Sequence, residues 1–121
     1  MSSVLIIDDD TDMLAMTARW MQKSGYEVST ADSGKEALSV LSGLRPDLIL
    51  LDHRMPEMDG PAVLKAIRSD ETLRDIPVLY RTGAEDIDES HDADQPKPDG
   101  IVPKSGGRPA LVKAVGEILA D

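Results

Sequence analysis

The sequence contains no cysteine. A disulfide, a thiolate metal site and a cysteine nucleophile are thereby excluded, and the absence suits a reducing compartment. No run approaches the roughly 20 apolar residues that a membrane span needs. The opening MSSVLIIDDD has no basic segment ahead of its apolar run, so it does not read as a signal peptide. A soluble, cytoplasmic protein is the simplest expectation. Bases are scarce beside acids, 13 against 23, for a formal net charge of −10. That balance argues against nucleic acid or an anionic membrane surface as a direct partner. Neither an internal repeat nor a linker is visible. A length of 121 residues suits one domain spanning 1–121, with enough chain to bury a core without cross-links.

What is present is an alternation. Val4-Leu5-Ile6-Ile7 is a short apolar run ending in acid, and Leu48-Ile49-Leu50-Leu51 repeats the design and ends at Asp52. Ile76 to Tyr80 is a third run, ending near Thr82, with weaker candidates at Glu27 to Ala31 and Gly100 to Val102. Short continuous apolar runs suit strands covered on both faces. Between them lie helical patterns. Leu14, Thr17, Ala18 and Met21 share one face, and Gly25 follows as a stop. Ser33-Gly34-Lys35-Glu36 is a capping-box pattern ahead of Ala37, Leu38 and Leu41. Val63, Leu64 and Ile67 mark a helix entered through Gly60-Pro61. Leu111, Val115 and Ile118 mark the last, with Pro109 in its first turn. Such alternation implies the α/β class, with a doubly wound five-stranded parallel sheet. A fourth helix belongs between Ala84 and Asp99 by alternation. That segment holds seven acids against one base and few apolar residues, and Pro96 and Pro98 break its end. It is expected to be short, frayed or absent.

In an open α/β sheet, ligands bind beyond the carboxyl ends of the strands. Asp8, Asp9 and Asp10 follow the first strand, Asp52 the third, Thr82 the fourth and Lys104 the fifth. Crowded carboxylates repel, and a hard divalent cation bound through oxygens removes the repulsion. Mg²⁺ typically uses one or two carboxylates together with waters and a phosphate. It would screen a nucleophilic Asp52 and clamp phosphoryl oxygens. Lys104 can pair with one such oxygen as a point charge, and the Thr82 hydroxyl can donate to another.

These pieces resemble the receiver domain of bacterial two-component response regulators. The resemblance rests on VLIIDDD at 4–10, LILLDHRMPEMDG at 48–60, PVLYRTG at 77–83 and Lys104, and spans essentially the whole chain. Its most specific part is D-x-x-M-P-x-M-D-G from Asp52 to Gly60. It implies a flavodoxin-like (βα)5 fold of the stand-alone, single-domain type. Asp52 would accept a phosphoryl group from a phosphohistidine of a histidine kinase or a histidine phosphotransfer protein. Asp9, Asp52 and the backbone carbonyl of Arg54 would bind Mg²⁺, with Asp8 helping through water, and Thr82 and Lys104 would hold the phosphoryl group. Such a protein is no enzyme acting on an outside substrate. It catalyses its own phosphorylation and dephosphorylation and switches binding to a downstream protein partner.

The sequence also departs from the family pattern. The aromatic position on the fifth strand is Ile101, so the usual rotamer switch is expected to be missing, with Tyr80 a candidate substitute. Lys104 is followed by Ser105 rather than proline. A cis bond there would cost about 2.5–4 kcal/mol, so a trans bond is expected. The Arg-Thr-Gly run and the weak fourth helix resemble a subgroup of single-domain receivers lacking an ordered fourth helix.

Met13, Met16 and Trp20 form a second apolar stripe on the first helix, with Asp12 and Arg19 at its rim. Stripes of this kind are usually core, yet one helix cannot bury every side, and methionines suit adaptable surfaces. This stripe is therefore expected to be a docking patch, and the resemblance implies that it meets the histidine-bearing helices of the phosphodonor. His53 follows Asp52, but alternation sends it to the opposite face. Two other functions compete. A haloacid dehalogenase-like phosphohydrolase needs D-x-D-x-T or D-x-D-x-V after its first strand, and here Asp12 occupies the last place. A non-phosphorylated pseudo-receiver acting as a binding module would keep the fold without the chemistry.

Overall fold

The short apolar runs become strands because helices cover both faces of the sheet they form. The computed structural model describes residues 2–55, 58–83 and 97–119. Strands β1 (Ser3–Ile7), β2 (Glu27–Ala31), β3 (Leu48–Asp52), β4 (Val78–Thr82) and β5 (Gly100–Pro103) make one sheet in the order β2-β1-β3-β4-β5. Every pairing is parallel. The helices are α1 (Thr11–Lys23), α2 (Gly34–Leu41), α3 (Gly60–Ser69) and α4 (Gly107–Leu119), and a 3-10 turn at Lys104–Gly106 leads into α4. The doubly wound α/β reading holds. The expected short fourth helix falls largely on residues 84–96, which lie outside the described residues.

Side-chain alternation divides the core in two. Leu5 and Ile7 of β1, Ile49 and Leu51 of β3, and Val78 and Tyr80 of β4 pack with Ala37 and Leu41 of α2 and Val63, Leu64 and Ile67 of α3. Val4 and Ile6, Leu48 and Leu50, Leu79 and Val102 pack with Leu14 and Met21 of α1 and Leu111 and Val115 of α4. Truncating one of the fully buried leucines to alanine costs roughly 2–5 kcal/mol, so the sheet is a stiff platform for whatever its ends carry.

The helix ends follow the sequence signals. Ser33 Oγ accepts from the Glu36 backbone N–H at 3.1 Å. Gly25, with φ +97°, ends the α1 turn in a conformation that glycine adopts without strain. One boundary differs from expectation. β4 starts at Val78, not Ile76, because Pro77 has no N–H to give the ladder. Ile76 remains in the core even so, 1% exposed. The edge of β4 is instead fixed by Asp99, whose carboxylate accepts from the Val78 N–H at 2.8 Å and also pairs with Arg68 at 2.9 Å.

Candidate functional site

Because all five strands run the same way, their C-terminal ends share one edge of the sheet. The strand order reverses between β1 and β3, and open α/β sheets place their ligand crevice at that point. Ile7 is in register with Leu51, so Asp8 and Asp52 leave the sheet side by side. Alternation sends both toward α1 and α4, and they are only 2% and 4% exposed. Lys104 reaches in from the far end of β5. Its Nζ lies 3.2 Å from Asp52 Oδ1 and 3.5 Å from Asp8 Oδ2. Asp9 sits exposed on the rim, yet an oxygen from each of Asp8, Asp9 and Asp52 lies within 4.8 Å of the others.

The three consecutive aspartates thus divide their work. Asp8 lines the pocket and accepts from the Asp10 N–H at 3.0 Å. Asp9 faces the rim. Asp10 caps α1, accepting from the N–H groups of Asp12 and Met13 at 3.0 and 3.1 Å. The last role was not anticipated from the sequence.

The pocket is short of positive charge. Burial, and then the neighbouring Asp8 carboxylate, push the Asp52 pKa up to about 7, against the pull of Lys104. For Lys104, burial pulls the pKa down, but Asp8 and Asp52 outweigh it and hold the ammonium above its ordinary value. A set of three carboxylates, all oxygen donors, crowded to the point of raising a pKa, fits a hard divalent cation of the Mg²⁺ type. Thr82, 3% exposed at the tip of β4, fits an incoming anion, because its Oγ1 is buried with no hydrogen-bond partner among the described residues. A buried hydroxyl left unpaired is costly, and an acceptor brought within its reach would remove that cost.

The D-x-x-M-P-x-M-D-G block owes its specificity to packing behind Asp52. Met55 is buried in the α2/α3 core and Met58 packs against it. Asp59 caps α3 by accepting from the Ala62 N–H at 3.0 Å. A Cβ on Gly60 would lie 2.8 Å from the Asp52 carbonyl oxygen and 2.8 Å from His53 Cα. Only glycine lets α3 start this close to the backbone that carries Asp52.

The remaining sequence candidates are placed as follows. Arg54 lies in the loop after β3 with its side chain exposed. His53 points away from Asp52, its ring edge-on to Tyr80 at 5.1 Å. Tyr80 is a core residue, 3% exposed, and burial with the nearby Asp59 charge pushes its pKa up to about 12. Ile101 is 49% exposed on β5. The Lys104–Ser105 bond is trans, as expected. Of the α1 stripe, Met16 is exposed at 38%, Met13 is half-buried, and Trp20 packs against the α1/α4 core; Asp12 and Arg19 are exposed. Ala84, which follows Gly83 beside the site, lies outside the described residues.

One site-adjacent residue escaped the sequence reading. Arg81 is buried on β4, in register with Asp52. The available signal was a charge inside an apolar strand at the parity of the pocket face.

Residues 4–116 match the family model described as the response regulator receiver domain. The chain belongs to that family. Among curated relatives of this receiver, the transcriptional regulatory protein PrrA of Mycobacterium leprae is 43% identical over 86 residues, covering 71% of this chain and 36% of the relative. The regulatory protein AtoC of Escherichia coli is 36% identical over 90 residues, covering 74% of this chain and 19% of the relative. The receiver therefore spans about a third or less of the length of these two relatives. Among solved structures, the chemotaxis protein CheY4 of Vibrio cholerae superposes with a TM-score of 0.84 at 29% identity, covering 98% of this chain and 99% of that one. Response regulator TrrA of Thermotoga maritima, solved in complex with Mg²⁺ and BeF, superposes with a TM-score of 0.83 at 28% identity, covering 98% and 100%. The sheet order and helix placement are those of the flavodoxin-like, CheY-like receiver fold. Among the described residues, no helix is long and apolar enough to cross a membrane.

Proposed function

We propose that residues 1–121 act as one receiver whose Asp52 accepts a phosphoryl group from a phosphohistidine. The donor is a histidine kinase or a histidine phosphotransfer protein, and the reaction takes place in the cytoplasm. The observation that carries this is the buried Asp52, held 3.2 Å from Lys104 and within cation-sharing distance of Asp8 and Asp9. Asp8, Asp9, Asp52 and the Arg54 carbonyl are the residues that would hold Mg²⁺. When bound, Mg²⁺ supplies charge neutralisation and a clamp on phosphoryl oxygens.

The chain's own residues do the rest. An Asp52 carboxylate oxygen forms the new O–P bond as the P–N bond to the donor imidazole breaks. The leaving nitrogen takes its proton from water. With no ion present, an Asp52 titrating near pH 7 is partly protonated at neutral pH and a weak nucleophile. Lys104 favours its charged form and is placed to follow the negative charge onto a phosphoryl oxygen. The Thr82 hydroxyl, without a partner among the described residues, donates to another. Rotation of Thr82 toward the phosphoryl group is the first movement by which phosphorylation alters the surface seen by a downstream protein. Attack of water on the acyl phosphate resets Asp52. The exposed part of α1, with Asp12, Met13, Met16, Arg19 and the edge of Trp20, borders the pocket and serves as the donor's docking surface.

Beryllofluoride with Mg²⁺ tests this directly, because it mimics an aspartyl phosphate. The wild type should show a saturable change in Trp20 emission and in backbone amide spectra, and Asp52→Asn should show neither. A silent wild type would favour the binding module, and steady turnover of a phosphate ester would favour the phosphohydrolase.

A further inference from the structure

The strand that ends at Thr82 buries a full positive charge one residue earlier. Arg81 is 2% exposed. It stands opposite Asp52 in the β3–β4 register. Alternation gives it the α1/α4 face, the face that also receives Asp8 and Asp52. Its Nη1 donates to Thr17 Oγ1 of α1 at 2.8 Å, and Thr17 is fully buried. Its Nε is buried with no hydrogen-bond partner among the described residues. Among the described residues Arg81 makes no contact ion pair; the pocket's ion pairs belong to Lys104.

A guanidinium is costly to bury, and one bond to a threonine hydroxyl does not offset the loss of water. An apolar side chain would fill this strand position more cheaply. What keeps the charge is the field of the pocket: burial lowers the Arg81 pKa, and Asp8 and Asp52 both act against that, without touching it. Lys104 is 24% exposed on a flexible stem and can swing toward a new anion. Arg81 is walled in by the sheet and α1 and tied to Thr17, so its charge stays in place whatever the pocket holds.

We propose that Arg81 is a fixed internal counter-charge to the Asp8–Asp52 pair, a positioning residue that holds the acidic pocket together without metal and thereby sets its affinity for Mg²⁺. A permanent cation on the inner side of the pocket works in two directions. It relieves repulsion between the carboxylates in the metal-free protein. It also opposes a divalent cation entering from the rim, and both effects are strengthened by the low dielectric of the site. The Mg²⁺ half of this inference rests on the proposed function; the metal-free half does not.

The test is a double-mutant cycle in chelator together with a Mg²⁺ titration. Arg81→Gln removes the charge but keeps a donor for Thr17, and Arg81→Lys keeps the charge. Without metal, Asp52→Asn should raise the folding equilibrium constant by at least about threefold more in the Arg81→Gln background than in the wild type. Followed by Trp20 fluorescence, Arg81→Gln should reach half-saturation with Mg²⁺ at a concentration at least about threefold lower than the wild type. Arg81→Lys should stay close to the wild type in both. An additive cycle, or an Arg81→Lys variant that moves as far as Arg81→Gln, would overturn the proposal, since position or packing would then matter and charge would not. A wild type that ignores Mg²⁺ would count against the phosphotransfer reading, while the cycle would still decide the role of Arg81. Should Arg81→Gln fail to fold, the same cycle is run with Arg81→Lys and Arg81→His compared at pH 8, where only the first keeps its charge.

Discussion

Replacing Asp52 by asparagine should make the metal-free receiver more stable, not less. Removing a buried, ion-paired carboxylate ordinarily destabilises a protein, because its partner is left unpaired. Here the balance is reversed. Asp52 is pushed up to about 7 by burial and by Asp8, from 3.8 in the unfolded chain. The folded state therefore keeps a proton that the unfolded state has lost between those two values. Stability falls as pH rises through that window, from about pH 4 to about pH 7, and levels off above it. Roughly three pKa units correspond to a loss of up to about 4 kcal/mol. Asparagine resembles the neutral carboxyl at every pH and escapes the loss. At pH 7.5 in chelator, Asp52→Asn should gain on the order of 1–4 kcal/mol, which for a domain of this size raises Tm by at least about 4 °C. The gap should shrink below pH 5. Mg²⁺ should close it from the other side, since an ion held at 100 times its Kd stabilises the wild type by about 2.7 kcal/mol and has lost a ligand in the variant. Thermal and urea unfolding across pH 5–8, with and without Mg²⁺, give the comparison. Equal melting of the two proteins in chelator at pH 7.5, or a less stable variant, would refute the electrostatic account of the pocket.

Three further outcomes follow from the same geometry. Lys104→Met should extend the pH window over which the metal-free protein loses stability to higher pH, because in the wild type the ammonium 3.2 Å away favours ionised Asp52; carboxyl NMR titration of Asp52 reads the upper limit. Gly60→Ala should cost roughly 1–3 kcal/mol in urea unfolding and weaken Mg²⁺ binding, since the new Cβ must push against the Asp52 and His53 backbone. Asp10→Ala should cost about 0.5–2 kcal/mol through loss of the α1 cap, with little change in the pH dependence assigned to Asp52.

The β3 run from Leu48 to Leu51 shows why so much of the fold could be read from the chain. A strand buried on both faces must be apolar throughout, and the first polar residue, Asp52, then marks where it leaves the core. The same logic placed Asp8 and Thr82 at one edge. It failed where a missing backbone donor or a neighbour in space overrides the hydrophobic pattern. Pro77 cost β4 its first ladder bond, although Ile76 kept its place in the core. Trp20 looked like part of a surface stripe, but α1 leans on the α1/α4 core far enough to cover much of it. Nothing in the sequence signals a regular turn after Lys104. Lys104–Gly106 nevertheless wind into a 3-10 turn, and Gly107, at φ +63°, makes the reversal into α4. Asp10 and Arg81 were the least legible, because a cap and a buried counter-charge are defined by partners that sequence spacing does not reveal.

The central claim, that Asp52 takes the phosphoryl group, is tested most directly by intact-mass measurement after incubation with Mg²⁺ and acetyl phosphate. The account predicts one phosphoryl group on the wild type, none without Mg²⁺ and none on Asp52→Asn. A labelled Asp52→Asn variant would contradict it.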